Sequence, residues 1–226
     1  ARTDLCGGWQ VTAIPTATKD PTRSLKLLRE APVKLYEVND EFIDDLRRAV
    51  DWLEDAYPRT ACLVELLLLT GMRIGEALAL QWDDINVPAR HITLRLTKSG
   101  KVRHVPISDA CLKLLRRLVE GTADCPPGGW LFPSSHRNSL MTRPVRPWKR
   151  ACQAVGLPLS LRFHDLRHTF ASACVKEGIP LYTVQGLLGH SSIRMTERYA
   201  ALAAADLLKA SGRVSSVLGL NKRGVK

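Results

Sequence analysis

The sequence predicts a mainly α-helical domain with one small antiparallel β-sheet, an α+β fold. In several segments, apolar residues recur three and four positions apart, which is the spacing of one helix face. The spacing changes to two in residues 91–96 and 102–107, with a glycine in the turn between them, which is typical of a β-hairpin. A chain of 226 residues with 45% apolar residues is long enough for one large domain or two small ones.

The first helix is predicted to begin after Asn39. An asparagine there can accept a hydrogen bond from a backbone N–H of the first turn, and the helix dipole favours the acidic residues Asp40 and Glu41. Apolar residues then follow at helical spacing, at Phe42, Leu46, Ala49, Val50 and Leu53. Pro58 is predicted to end this region.

Two further helices are predicted before the hairpin. One runs from about Arg59 to Thr70 and ends at Gly71, a residue suited to a left-handed cap. The next begins near Ile74. The hairpin then follows, with residues 97–101 as its turn.

The second half of the chain is predicted to return to helices. A helix begins at Ser108 or Asp109 and continues to about Val119. A loop rich in proline and glycine covers residues 124–129, and residues 130–132 form a short apolar strand or turn. From Phe163 onward the chain is mostly helical, with breaks at residues 178–180 and at Gly189.

The formal charge of +11 favours a polyanionic partner, most often nucleic acid. The alternative is a basic protein without such a partner. An anionic membrane surface is less favoured, because the chain has no basic amphipathic helix with a clean apolar face and no apolar run near 18 residues.

The six cysteines form no C-x-x-C pair and lie at no zinc-finger spacing from a histidine pair. The chain also opens without a signal peptide. These observations predict a reduced, intracellular protein without a structural metal.

Several polar residues have the chemistry to bind and attack a phosphodiester. Arg73 follows a helix end, where its planar fork can meet a phosphate, and Glu76 can orient it; the alternative is a surface Arg–Glu pair. His164 and Arg167 are three residues apart, so a helix places them on one face. The alternative is a solvated helix start that is rich in polar groups. His168 is expected to be structural.

A further pair of candidates lies near the end of the helical half. His190 follows Gly189 at a helix break, where a ligand can approach closely. Tyr199 lies about two and a half turns further on if the segment is helical throughout. Its hydroxyl is a poor nucleophile at a pKa near ~10 unless cations favour the phenolate. The alternative is a tyrosine that only packs.

Four segments resemble, in order and spacing, the tyrosine recombinase family, also called the phage integrases. They are Thr70–Leu78, the hairpin turn Thr97–Gly100 with Val105–Ile107, His164–Ala171, and Leu187–Ile193 with Thr196–Ala200. The resemblance covers roughly Val38 to Tyr199. It implies the family's catalytic-domain fold, of the DNA breaking-rejoining enzyme type.

The resemblance also implies a reaction: cleavage and rejoining of DNA through a 3′-phosphotyrosyl link, without a metal, ATP or another cofactor. Tyr199 would be the nucleophile, Arg73 and Arg167 would bind the phosphate oxygens, and Lys98 would be the general acid. His164 would accept a proton or a hydrogen bond. The resemblance also implies two supporting roles. His190 would donate a hydrogen bond to the phosphate, and Glu76 would be an acidic residue that supports the site.

The implied partner is double-stranded DNA at a specific attachment site, bound by a tetrameric synapse that accessory DNA-bending or directionality proteins can join. No membrane is involved, and the protein would act in the bacterial cytoplasm, at the nucleoid. The role implied is integration or excision of a mobile genetic element. Candidate DNA-backbone contacts are the basic residues Arg137, Arg143, Arg146, Lys149 and Arg150, with a solvated loop as the alternative.

Three parts of the chain are expected to differ in role. Residues 1–36 are predicted to be a linker or the remnant of an upstream core-binding domain, residues 37–200 the catalytic domain, and residues 201–226 a C-terminal helix and tail that docks on a neighbouring protomer.

Three other functions remain as alternatives to a recombinase. They are a type IB topoisomerase, a DNA-binding module with a decayed site, and a basic scaffold protein.

Overall fold

A computed structural model of the chain describes residues 36, 38–95, 102–120, 128–134 and 139–200. The chain divides into one unit of residues Ala1–Lys34 and another of residues Leu35–Lys226, and every described residue belongs to the second. The helices in the described residues are α1 Asp40–Ala56, α2 Pro58–Thr70, α3 Ile74–Leu78, α4 Asp109–Glu120, α5 Val145–Val155, α6 Phe163–Lys176, α7 Leu181–Leu188 and α8 Arg194–Glu197. The strands are β1 Ile85–Asn86, β2 His91–Leu94 and β3 Arg103–Pro106.

Helix α1 begins as the sequence predicts. The side chain of Asn39 accepts a hydrogen bond from the backbone N–H of Phe42 at 2.8 Å. Helix α1 ends at Ala56, just before Pro58 as predicted, and Pro58 itself is the first residue of α2, one residue before the predicted start. A proline is tolerated at the first helical position since its missing N–H would have no partner within the helix.

The hairpin prediction is confirmed for the two strands. β2 and β3 are antiparallel, with His91 opposite Pro106 and Leu94 opposite Arg103. β1, a strand of two residues, adds a third member to the sheet in the order β1-β2-β3. Its shortness leaves no alternation to detect in the sequence. The predicted turn lies outside the described residues.

Helix α5 is the main element that the sequence reasoning missed, because its residues read only as a basic stretch. Pro147 lies in the first turn, where an N–H is not required, so it does not break the helix. Trp148 is buried, and its indole N–H donates to the carbonyl of Leu161 at 2.9 Å. The tryptophan therefore belongs to the core and fixes α5 against the segment before α6.

Buried apolar residues form two clusters. The larger one joins α1, α2, α4, α5 and the sheet. The smaller one lies between α6 and α7 and consists of Ala171, Cys174, Val175, Val184, Leu188 and Tyr199. The cysteines of the described ranges are free thiols, and burial raises the pKa of Cys111 and of Cys152 to about 11. No helix in the described part of the chain is both long and apolar enough to span a membrane.

Candidate active site

The candidate residues of the described ranges come from three separate segments that the fold brings together. Arg73 lies at the start of α3, His164 and Arg167 lie in the first half of α6, and His190 directly follows the end of α7. Tyr199 follows the short helix α8.

Arg73 is fixed by Glu76 across the first turn of α3. Its backbone N–H donates to Oε2 of Glu76 at 2.9 Å, and its Nη1 donates to Oε1 at 2.8 Å. The Arg73 side chain keeps 31% of its surface exposed, whereas that of Glu76 keeps 6%. The buried carboxylate of Glu76 therefore orients the guanidinium group of Arg73 and leaves that group accessible to a ligand.

Glu76 has a second cationic partner. Nη2 of Arg103, the first residue of β3, donates to Oε2 of Glu76 at 2.9 Å. Nη1 of Arg103 donates to the carbonyl of Leu187 in α7 at 2.7 Å. Arg103 was not predicted from the sequence, where its one distinguishing feature is its place at the start of the strand that follows the hairpin turn.

Arg167 is buried, with 3% of its surface exposed. Its Nη1 donates to the carbonyl of Gly71 at 2.7 Å and its Nη2 to the carbonyl of Leu188 at 2.6 Å. These carbonyls lie at the C-terminal ends of α2 and α7, where helices lack internal donors and carry partial negative charge. Burial, with repulsion from Arg73 and Arg103, lowers the pKa of Arg167 to about 10, so it stays charged at neutral pH.

The two candidate histidines are neutral at pH 7. Partial burial and the charge of Arg167 lower the pKa of His164, which lies in the first turn of α6. His190 Nδ1 is 2.9 Å from the hydroxyl of Thr196. Burial is the largest cause of a pKa of about 4 for His190, followed by the charges of Arg167 and Arg73. Each of the two histidines therefore lies within electrostatic reach of both Arg73 and Arg167.

Tyr199 is buried, with 1% of its surface exposed. Burial raises the pKa of its hydroxyl to about 12, even though the charges of Arg198 and Arg167 act to lower it. The segment before it is not helical throughout, because α8 spans only Arg194–Glu197 and a turn follows. The spacing of two and a half helical turns from His190 therefore does not apply.

The hydroxyl of Tyr199 is hydrogen-bonded to Nδ1 of His168, a residue that the sequence reasoning expected to be structural. The His168 ring meets the ring of His164 edge-on, with centroids 4.8 Å apart. Burial lowers the pKa of His168 to about 4, so it is neutral at pH 7. The four-residue spacing of the two histidines places both on one face of α6, and this was the sequence signal for the contact.

The remaining candidates are basic residues outside this cluster. Lys98 and Arg137 lie outside the described residues. Arg143, Arg146, Lys149 and Arg150 are all exposed. Arg150 donates from Nη1 to the hydroxyl of Tyr57 at 2.7 Å.

The arrangement suits an anion that carries a reacting phosphorus atom. Arg73, Arg103 and Arg167 bring three positive charges around the carboxylate of Glu76. A phosphate would relieve their repulsion, and planar guanidinium groups match its oxygens. No group of three or more metal-ligating side chains is found in the described ranges.

A model of the phage integrase family matches residues 43–206. The tyrosine recombinase XerD of Rhizobium meliloti strain 1021 is 37% identical over 200 residues, which is 80% of this chain and 62% of that protein. The catalytic domain of bacteriophage HP1 integrase is 30% identical, with a TM-score of 0.56 over 79% of this chain and 92% of that one. The chain spans between 51% and 65% of the length of four such recombinase relatives.

A third neighbour shares the fold at lower identity. XerH recombinase, in a post-cleavage complex with palindromic difH substrate, is 24% identical. Its TM-score is 0.62, over 76% of this chain and 51% of that one.

Proposed function

The chain belongs to the phage integrase family, and on that premise we propose that it is the catalytic part of a site-specific DNA recombinase. It cleaves and rejoins DNA strands through a covalent link between a tyrosine and a 3′-phosphate. Its role is to integrate or excise a mobile genetic element. The relatives named above are recombinases and an integrase, which supports this reaction class.

One arrangement carries the proposal: Arg73, His164, His190 and Tyr199 come from distant segments and all lie within electrostatic reach of Arg167. The charge of Arg167 acts on His190 and on Tyr199, and the charge of Arg73 acts on His190 and on Arg167. A site whose parts only packed would have no need to bury Arg167 beside the charges of Arg73 and Arg103, because their mutual repulsion and the loss of water around Arg167 both cost free energy.

In the cleavage step, the Tyr199 Oη–P bond forms while the bond from phosphorus to the 5′-oxygen breaks. The proton of the tyrosine passes to His164, and a proton from Lys98 passes to the departing 5′-oxygen. Attack by a 5′-hydroxyl on the phosphotyrosine reverses the step and rejoins a strand. Because the phosphotyrosyl link keeps the bond energy of the phosphodiester, no ATP is needed.

Arg73 and Arg167 stabilise the charge that develops on the non-bridging oxygens, which is usually the largest contribution to such a reaction. His190 donates a further hydrogen bond to the phosphate, and Glu76 orients Arg73. With a pKa of about 4, His190 is neutral at pH 7. It can donate this hydrogen bond from its neutral ring N–H, or it can gain a proton when the negative charge of the phosphate raises its pKa.

The contact between Tyr199 and His168 defines the state of the nucleophile before DNA binds. A hydroxyl with a pKa of about 12 is protonated at neutral pH, and this one is buried. We infer that the hydroxyl leaves His168 when the scissile phosphate arrives, so that its proton can pass to His164.

The proposed partner is double-stranded DNA at a specific attachment site. The XerH site-specific recombinase is bound to palindromic difH substrate, which supports a partner of this kind for the present chain. Exposed Arg143, Arg146, Lys149 and Arg150, together with Arg137, would contact the phosphate backbone and make binding depend on salt concentration. On DNA, four protomers would assemble, with residues 201–226 docking on a neighbour and with DNA-bending or directionality proteins as further partners. The place of action would be the bacterial cytoplasm, at the nucleoid.

The reaction can be tested without knowing the attachment site. The full chain is incubated with a library of randomised duplexes, each carrying a nick that traps cleaved product, and DNA that stays attached after denaturation is recovered and sequenced. The expected result is an enriched sequence attached to the wild-type chain. Tyr199→Phe should give no adduct, whereas the matched control Tyr182→Phe, which removes the hydroxyl of an 81% exposed tyrosine, should leave adduct formation unchanged.

Two results would contradict the proposal. An adduct that persists in Tyr199→Phe would mean that another residue is the nucleophile. An adduct on every sequence, together with relaxation of supercoiled plasmid, would indicate a type IB topoisomerase instead.

A further inference from the structure

We propose that Arg103 is a positioning residue, which fixes the Arg73–Glu76 pair and the Gly189–His190 turn in their relative places for phosphate binding. This inference rests on the proposed function, because it concerns residues assigned there to the phosphate. Arg103 itself is not proposed to touch the substrate.

A single guanidinium connects three segments that are far apart in the sequence. Arg103 belongs to β3, its Nη2 binds Glu76 in α3, and its Nη1 binds the carbonyl of Leu187 in α7. Only 13% of the Arg103 side chain is exposed. Charged hydrogen bonds in such a shielded place are strong, and an unpartnered charge there is costly. This side chain therefore ties the three segments together at a point that Arg167 does not reach, since Arg167 binds the carbonyls of Gly71 and Leu188 instead.

The link to Arg73 passes through the carboxylate of Glu76. Oε1 accepts from the Arg73 guanidinium, while Oε2 accepts from the Arg73 backbone and from Arg103. The two arginines therefore hold opposite ends of one carboxylate. Without Arg103, a carboxylate that is only 6% exposed would lose a partner and reorient toward Arg73 or toward water. The orientation of the Arg73 fork would change with it.

The link to His190 passes through Gly189. A Cβ atom added to this glycine would lie 2.4 Å from Cδ and 2.7 Å from Nε of Arg103. Gly189 also has a φ of +63°, a conformation that other residues adopt at a cost. The stem of Arg103 thus occupies the space beside the turn that leads into His190, and the turn takes its shape around this side chain.

A lysine cannot replace this arginine. The two bonds of Arg103 leave one planar fork in two directions, toward a carboxylate oxygen and toward a backbone carbonyl. A lysine ammonium is a compact point charge on a flexible stem and lacks that fixed fork. Arg103→Lys is therefore expected to resemble Arg103→Gln more than the wild type.

The test compares full-length Arg103→Lys and Arg103→Gln with Arg116→Gln, which changes an exposed arginine of α4. Single-turnover adduct formation is measured at saturating DNA on the sequence recovered from the library, and DNA affinity is measured separately. Both Arg103 variants are expected to react about 100-fold more slowly with DNA affinity nearly unchanged, since small misplacements of catalytic groups cost this much. Arg116→Gln should match the wild type.

Gly189→Ala supplies a second, independent variant. Its methyl group would displace Arg103, so the rate should fall to a similar extent, and the double variant Gly189→Ala/Arg103→Gln should be little slower than either single one. Wild-type rates per folded molecule in the Arg103 variants, or rate losses that multiply in the double variant, would overturn the proposal.

Amide hydrogen exchange separates a failure of this inference from a failure of the proposed function. If the wild type forms no adduct, the proposed function fails, but Arg103→Gln should still speed exchange in residues 74–76 and 189–190 relative to Arg116→Gln. Unchanged exchange in these residues would overturn the positioning role of Arg103 whatever the enzyme does.

Discussion

Helices α2 and α6 pack against each other and are nearly equal in length, with 13 and 14 residues, but they bury different chemistry. The buried residues of α2 are Thr60, Ala61, Leu63, Val64, Leu66, Leu67 and Thr70. Those of α6 include the polar residues Asp165, Arg167, His168, Thr169 and Ser172. Burying apolar groups stabilises a fold directly, whereas burying polar and charged groups requires partners.

The partners of α6 show why its burial is tolerated. Asp165 accepts from the backbone N–H of Arg162 at 2.7 Å, Arg167 binds the carbonyls at two helix ends, and His168 binds Tyr199. The comparison teaches that α2 contributes mainly stability, while α6 places reactive groups at the expense of stability. The following four substitutions test this division of roles, from the largest expected effect to the smallest.

Arg167→Lys on α6 should lower the rate of adduct formation more than the stability of the fold. A lysine keeps the charge but cannot present two N–H donors in one plane, so adduct formation should slow by about 100- to 1000-fold. The rate is measured on the folded fraction, with Arg116→Lys as a control at an exposed arginine. A rate within threefold of the wild type would mean that Arg167 only caps helices.

Leu63→Ala on α2 should do the opposite. Leu63 is fully buried in the larger cluster, so its truncation should lower the free energy of unfolding by about 2–5 kcal/mol. Urea titration measures this change, and Val119→Ala, at a side chain that is 48% exposed, should have little effect. The adduct rate per folded molecule should stay near that of the wild type; a selective loss of rate would show that α2 also tunes the site.

His168→Gln tests how much of the unfolding free energy is lost in acid because His168 is buried and neutral. The pKa of His168 is about 4 in the folded chain because of burial, below its ordinary value near ~6.5, so the unfolded chain binds more protons in between. The stability that neutral His168 allows is present above pH ~6.5 and is lost as the pH falls toward 4, by about 3 kcal/mol.

The fall in unfolding free energy from pH 7 to pH 4 should therefore be smaller in His168→Gln than in the wild type by about that amount. His190 still titrates in the variant and accounts for part of the remaining fall. Equal falls in the two proteins would show that His168 is not held neutral by the fold.

Gly71→Ala affects the junction of the two helices. Gly71 ends α2 with a φ of +62°, and an added Cβ would lie 2.4 Å from Cδ1 of Phe170 in α6. The left-handed conformation alone should lower the unfolding free energy by about 1–2 kcal/mol, with more from the contact. Thermal melting of Gly71→Ala and of Gly71→Ala/Phe170→Leu separates the two causes, because only the contact is relieved in the double variant. No recovery would place the whole cost in the backbone.

The sequence predicted α1, α2, the two longer strands and the breaks after α6 and α7, because caps, glycines and apolar spacing are local signals. It missed α5, because its residues were interpreted only as part of a basic stretch, with DNA contact or a solvated loop as the two alternatives. Whether Pro58 or Pro147 breaks a helix depends on where the helix begins, because a proline is tolerated in the first turn.

The candidate residues were chosen by their order along the chain, and the structure brings Arg73, His164, Arg167 and His190 together. The contact of His168 with Tyr199 and the role of Arg103 did not follow from the sequence. Each depends on a side chain meeting a partner 27 to 84 residues away.

By itself, the sequence determined the fold class and the residue types available for phosphate chemistry, because periodicity, caps and motif order are written in neighbouring residues. Only the tertiary structure decided that the hydroxyl of Tyr199 is buried against His168 and that Arg103 shares Glu76 with Arg73. The physical reason is that burial and the distances between charges set the pKa and orientation of these groups, and both quantities exist only once distant segments have packed.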